Sequence, residues 1–145
     1  MKVLLGTDGS EYSEAALHAV AAQFQPQATE VRVVHVVQPL IMGVTPQMST
    51  DYAPEVEGLV KQGKELVTRA SKKLQDAGFK ADTLVEVGDI RVKLIDLAAE
   101  WNADVIVLGS HGHGAIRRFL LGSVAEFVAR NASCSVEIVR RHEKK

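Results

Sequence analysis

Short apolar runs alternate five times with stretches of helical or loop character along this chain, and that alternation limits the folds open to it. Val3-Leu4-Leu5 begins a first strand. From Ser10 the chain reads as a helix, with Leu17, Val20, Ala21 and Phe24 at the i, i+3, i+4, i+7 spacing of a buried face. Ser10 is placed to cap it, and Glu11 and Glu14 stand where a helix N-terminus favours negative charge. Val31 to Val37 forms a second strand. Gln38 to Ala53 carries Pro39, Gly43 and Pro46 and reads as a long loop, a lid or a surface for an unidentified protein partner.

A long helix follows Pro54, with Leu59, Leu66, Val67, Ala70 and Leu74 on one side and Gly78 as its stop. Thr83 to Val87 is the third strand, and Ile90, Leu94, Leu97, Ala98 and Trp101 mark another helical stripe. Asp104 to Gly109 is the fourth strand, and Ser135 to Val139 the last, after a Gly/His-rich loop and a further helix. Parallel neighbours need crossover connections, so this order implies an α/β fold: an open parallel sheet with helices on both faces. Val3 to Leu5 and Val105 to Leu108 are continuously apolar, as central strands are, whereas the third and fifth strands each carry a glutamate, as edges do. The five-stranded order 3-2-1-4-5 satisfies this. It puts a topological switch point between strands one and four, where a ligand cleft opens beyond the strand C-termini.

Composition narrows the function. The 145 residues are 46% apolar and 24% charged, and 17 Lys+Arg against 18 Asp+Glu leave a net charge of −1. One domain spanning 1–145 is expected. Such a balance offers no footprint for nucleic acid or for an anionic membrane. No apolar stretch approaches the roughly 20 residues of a membrane span, and the N-terminal apolar run is too short for a signal peptide. The single cysteine, Cys134, forms no intrachain disulfide and is expected to be a buried, inert thiol. A reducing cytoplasm is the expected location.

The chemistry concentrates in Gly109-Ser110-His111-Gly112-His113-Gly114 and, nine residues after Gly112, in Gly122-Ser123-Val124. Glycines let backbone N–H groups approach a ligand, and a helix N-terminus attracts phosphate. A capping box of Ser123 and Glu126 is expected to start the last helix, with the N–H groups of Gly122, Ser123 and Val124 pointing into the cleft. Glycines after a strand are also ordinary turn punctuation, and Ser123 can serve only its helix. The residues alone leave both readings open.

The spacing Gly109, two residues, Gly112, nine residues, Gly122-Ser123 resembles the motif of the ATP-binding branch of the universal stress protein family. The opening Thr7-Asp8-Gly9-Ser10-Glu11, the His35-Val36 pair and the GSVAEFV helix start extend the resemblance over essentially the whole chain. It implies the Rossmann-like fold of the adenine nucleotide alpha hydrolases and ATP, with Mg²⁺, as cofactor. The implied binding residues are Thr7, Asp8, Val36, Leu108, Gly109, Gly112, His113, Gly122, Ser123 and Val124. It also implies a stress-response module that forms a homodimer through the C-terminal strand. Gly6 stands where relatives often carry proline or valine, which predicts a looser wall beside the adenine.

Other residues point less far. His111 and His113 lack an acidic or cysteine partner nearby in sequence and make a weak metal pair, so no metal site is expected and they read as loop or phosphate-contact residues. His35 reads as a hydrogen-bonded core residue, and Arg117 or Arg118 as a phosphate contact. Asp8 could accept from the adenine amino group, hold a magnesium on the phosphates, or only steady the first helix. No P-loop and no nucleophile with an adjacent base stands out, so no catalytic residue is assigned. A slow ATPase or adenylyl-transferring enzyme of the same fold is the alternative.

Overall fold

The computed structural model describes residues 1–39, 53–112 and 121–141. Its elements are β1 (Lys2–Gly6), α1 (Glu11–Gln23), β2 (Glu30–Val37), α2 (Ala53–Asp76), β3 (Lys80–Val87), α3 (Ile90–Trp101), β4 (Val105–Gly109), α4 (Ser123–Asn131) and β5 (Ser135–Val139), with a 3₁₀ turn over Pro26–Ala28. The five strands form one parallel sheet in the order β3-β2-β1-β4-β5, as the apolar and charged strand patterns require.

Strand alternation sends successive side chains to opposite faces, and each face has its own core. Val3, Leu5, Val31, Val33 and Val107 pack against Ala16, Leu17 and Val20 of α1 and Val67, Ala70 and Leu74 of α2. Leu4, Val34, Val36, Ile106 and Leu108 pack against Leu94, Leu97 and Ala98 of α3 and Val128 of α4. The central strands β1 and β4 are buried on both sides, which explains their unbroken apolar runs.

Three boundaries differ from the sequence expectation. The buried face of α1 is Ser13, Ala16, Leu17 and Val20, and Ala21 is exposed. Ser13 can be buried because its hydroxyl donates to Ser10 O at 3.0 Å and accepts from Thr7 Oγ1 at 3.1 Å, so the stripe begins a turn earlier than apolar periodicity shows. β3 begins at Lys80, three residues before Thr83. Its first rungs are polar: Arg32 donates to both Asp82 oxygens at 2.9 and 3.0 Å, and Lys80 pairs with Glu30. α2 already includes Ala53 and Pro54, and the loop expected from Gln38 to Ala53 lies mostly outside the described residues.

The expected start of α1 and stop of α2 are both present. Ser10 Oγ accepts from Ser13 N–H at 3.2 Å. Beyond α2, Gly78 at φ +96° donates to Gln75 O and Phe79 to Leu74 O, the paired bonds of a Schellman ending. Cys134, expected to be buried, is only half-buried just before β5, and the burial it has pushes its thiol pKa up. Trp101 lies at the margin of its stripe, with the Arg32 guanidinium 4.6 Å from its ring centre.

Candidate functional site

β1 and β4 are paired neighbours whose following helices, α1 and α4, pack on opposite faces of the sheet, and the loops that leave the two strands build the site. After Gly6 the chain makes one more ladder bond, Thr7 N–H to Val34 O at 2.9 Å, and then turns. Asp8 Oδ1 accepts from Ser10 N–H at 2.9 Å, and Gly9 at φ +80° completes the turn into α1. Asp8 therefore does steady the start of α1 with one oxygen. Its second oxygen faces the loop that leaves β4, where a Cβ at Gly112 would stand 2.8 Å from Oδ2.

The loop after β4 is held by its backbone. Ser110 N–H donates to Val139 O at 3.0 Å, and Gly122 N–H donates to Ser110 O at 2.7 Å, which brings the two glycine clusters together across residues 113–120. That bond corrects one expectation. Gly122 is the N-cap of α4 and its N–H is already engaged, so the open donors belong to Ser123, Val124 and Ala125. These three N–H groups have no acceptor among the described residues, as the first turn of a helix dictates. The expected capping box is also absent. No side chain caps α4, and Glu126 pairs with Arg130 at 3.0 Å instead.

Between the loops lies a cavity of about 410 Å³, within the range of small-molecule sites. Val34, Val36, Leu108, Ile90 and Leu94 give it an apolar wall. Thr7, Asp8, Gly109, Gly112, and the segment from Leu121 through the first turn of α4 to Ala125 line the rest. Thr7, Asp8, Val36, Leu108, Gly109, Gly112, Gly122, Ser123 and Val124 are thus all brought to one cavity. His113, Arg117 and Arg118 lie outside the described residues. Gly6 does not loosen the wall, because the Leu108 side chain occupies the space, 2.5 Å from where a Cβ would stand.

Ile90 and Leu94 line the cavity without a signal in the sequence, whereas His111 lies in the glycine-rich loop that the sequence marks. Ile90 and Leu94 sat in a helical stripe that also builds the core, so nothing marked them as ligand-facing. His111 lines the cavity, 5.2 Å from the Tyr12 ring, and its Nδ1 lies 3.0 Å from Ser110 Oγ. That serine–histidine contact was not expected from the sequence. Ser110 is only 3% exposed and does not line the cavity, so its hydroxyl is not presented as a nucleophile. Asp8 and His111 are the ionisable side chains at the cavity wall among the described residues. No three His, Cys, Asp or Glu side chains converge on a point among those residues, and no described helix is long and apolar enough to cross a membrane.

Comparison with known proteins agrees with this fold. The model of the universal stress protein family matches residues 1–140. Universal stress protein MJ0531 of Methanocaldococcus jannaschii is 34% identical over 146 residues, covering 99% of this chain and 84% of that protein. MJ0577 of the same organism is 31% identical over 97% of this chain and 94% of its own length. The solved structure of MJ0577 superposes with a TM-score of 0.86 at 30% identity, covering 99% of this chain and 97% of that one. A solved universal stress protein in complex with cAMP aligns at a TM-score of 0.62 and 28% identity, over 97% of this chain and 96% of that one.

Proposed function

The chain belongs to the universal stress protein family, and from that premise we propose that it is a regulatory module that binds ATP with Mg²⁺ in the cavity between β1 and β4. The observation that carries the reading is the meeting of two chemistries in one cavity. An apolar slot of Val34, Val36 and Leu108 suits a flat base, and the open N–H groups of Ser123, Val124 and Ala125 suit phosphate oxygens. The related protein solved with cAMP supports the choice of an adenine nucleotide.

Each residue has a role in this reading. Val36 and Asp8 read the edge of the base, Gly109 and Gly112 let the backbone approach the ribose and phosphates, and the α4 terminus holds the phosphate charge. Asp8 is the carboxylate at the cavity wall among the described residues, too few ligands for a protein-built metal site. Mg²⁺ therefore arrives on the phosphates, as it commonly does in nucleotide sites. A homodimer through β5 belongs to the same proposal, since among the described residues β5 is a sheet edge paired only with β4. So do a cytoplasmic setting, a single domain over 1–145 and a role that depends on binding rather than turnover.

Isothermal titration decides the reading. ATP with Mg²⁺ should bind one per chain with micromolar-class affinity, and GTP should bind at least tenfold more weakly. No binding of any adenine nucleotide at millimolar concentration overturns it.

A further inference from the structure

The second strand ends with a substitution in its hydrogen-bond ladder. In a parallel pair, alternate residues of a strand direct both N–H and C=O to the same neighbour. Val34 O accepts from Thr7 N–H, so Val34 and, two residues on, Val36 face β1. Val37 O accepts from Gly88 N–H, so the odd-numbered residues face β3. The next rung toward β1 would be Val36 N–H to Thr7 O. That bond is not formed. Thr7 O instead lies 2.8 Å from Nδ1 of the half-buried His35. A carbonyl oxygen only accepts, so Nδ1 must carry the proton. The ring is held from its other side by α2, where a Cβ at Gly63 would stand 2.6 Å from His35 Cδ2 and 3.3 Å from Val85 Cγ1.

We infer that His35 is a positioning residue for the cavity: by taking the Thr7 carbonyl it ends the β1–β2 ladder and leaves the Val36 backbone facing the ligand. Val36 lines the cavity, and its N–H has no acceptor among the described residues. The same bond fixes the direction in which β1 leaves the sheet, one residue before Asp8. Gly63 is kept small so that α2 can close on the imidazole, which gives a glycine inside a long helix a packing purpose. His35 itself touches no ligand in this account. Its effect on binding rests on the nucleotide reading above, whereas its effect on the ladder does not.

Three measurements on the full chain separate these. In nitrogen-15 spectra of the ligand-free protein, neutral His35 should carry its proton on Nδ1, and the Nε2–H tautomer overturns the inference. The Val36 amide should exchange with solvent faster than that of Val34, and should become protected in folded His35→Leu, where Thr7 O is released. Equal protection in both proteins overturns it. ATP should bind about tenfold more weakly to His35→Leu, and within about threefold of native to His35→Asn, whose Nδ2–H takes the place of Nδ1–H. Native affinity in folded His35→Leu, or equal losses in both variants, overturns it. If the native chain binds no nucleotide, the functional reading falls, and the tautomer and the Val36 amide still decide the role of His35.

Discussion

Gly109 meets the backbone of Tyr12 so closely that a Cβ there would stand 2.6 Å from both the carbonyl carbon and the oxygen of Tyr12. The glycine at the end of β4 is therefore required by the packing of α1 on the sheet, whatever it does for a ligand. Backbone cannot step aside as a side-chain tip can. Gly109→Ala should destabilise the fold by about 1–3 kcal/mol, the usual cost of overpacking, seen as a lower urea midpoint. Gly122 is different, since its nearest neighbours to a Cβ lie at 3.1 and 3.2 Å and its φ is −72°. Gly122→Val should cost about 1–3 kcal/mol, as a poor N-cap that also crowds Ser110 O and His111 Cα, and yet weaken ATP binding by more than tenfold in the folded protein. Native ATP affinity in folded Gly122→Val contradicts the placement of phosphate.

Two glycines of α2 should respond in opposite ways to alanine. Gly58 has nothing within 4 Å of a built Cβ, so Gly58→Ala should stabilise by about 0.5–1 kcal/mol through backbone entropy alone. Gly63→Ala should destabilise despite the same gain in propensity, because the His35 ring must move. Thermal melts of the two variants on either side of the native midpoint are the expected result.

The open edge of β5 sets the dimer prediction. Val139 O accepts from Ser110 N–H, so Val139 and Glu137 face β4, and the N–H and C=O of Val136 and Ile138 face outward. Ile138→Pro removes one outward donor and leaves the bonds to β4 intact. Sedimentation should give a dimer for the native chain and a folded monomer for Ile138→Pro. A native monomer at tens of micromolar rules the dimer out.

Hydrolysis of bound ATP should be slow. The Ser110 hydroxyl is buried against His111, and the open N–H groups of α4 bind ground and transition states alike, which gives no rate. Turnover of several per second, near the median for enzymes, in protein free of contaminating ATPase contradicts this.

The strand order was legible because it rests on two strong signals: unbroken apolar runs at Val3–Leu5 and Val105–Leu108, and charge on the flanking strands. The cavity residues were legible through the resemblance that the Gly109, Gly112 and Gly122-Ser123 spacing carries; the glycines by themselves left an ordinary turn equally open, and at Gly109 the close approach is to the Tyr12 backbone of α1. What was hidden depends on partners distant in sequence. Lys80 and Asp82 look like loop until Glu30 and Arg32 are set beside them. The donor lost at Gly122 depends on where Ser110 O comes to lie, and no local pattern encodes it. The fit of His35 between Thr7 and Gly63 spans three elements and has no periodicity to announce it.

The central claim is that phosphate sits on the first turn of α4 and the base beside Val36, and amide chemical shifts report both places in one titration. Adding ATP with Mg²⁺ to nitrogen-15-labelled protein should move the Ser123, Val124 and Ala125 amides downfield as they gain a charged acceptor, together with Val36 and Gly109. AMP should leave the Val36 response in place. Saturating shifts confined to residues outside this cavity, or none at millimolar ATP, would contradict the account.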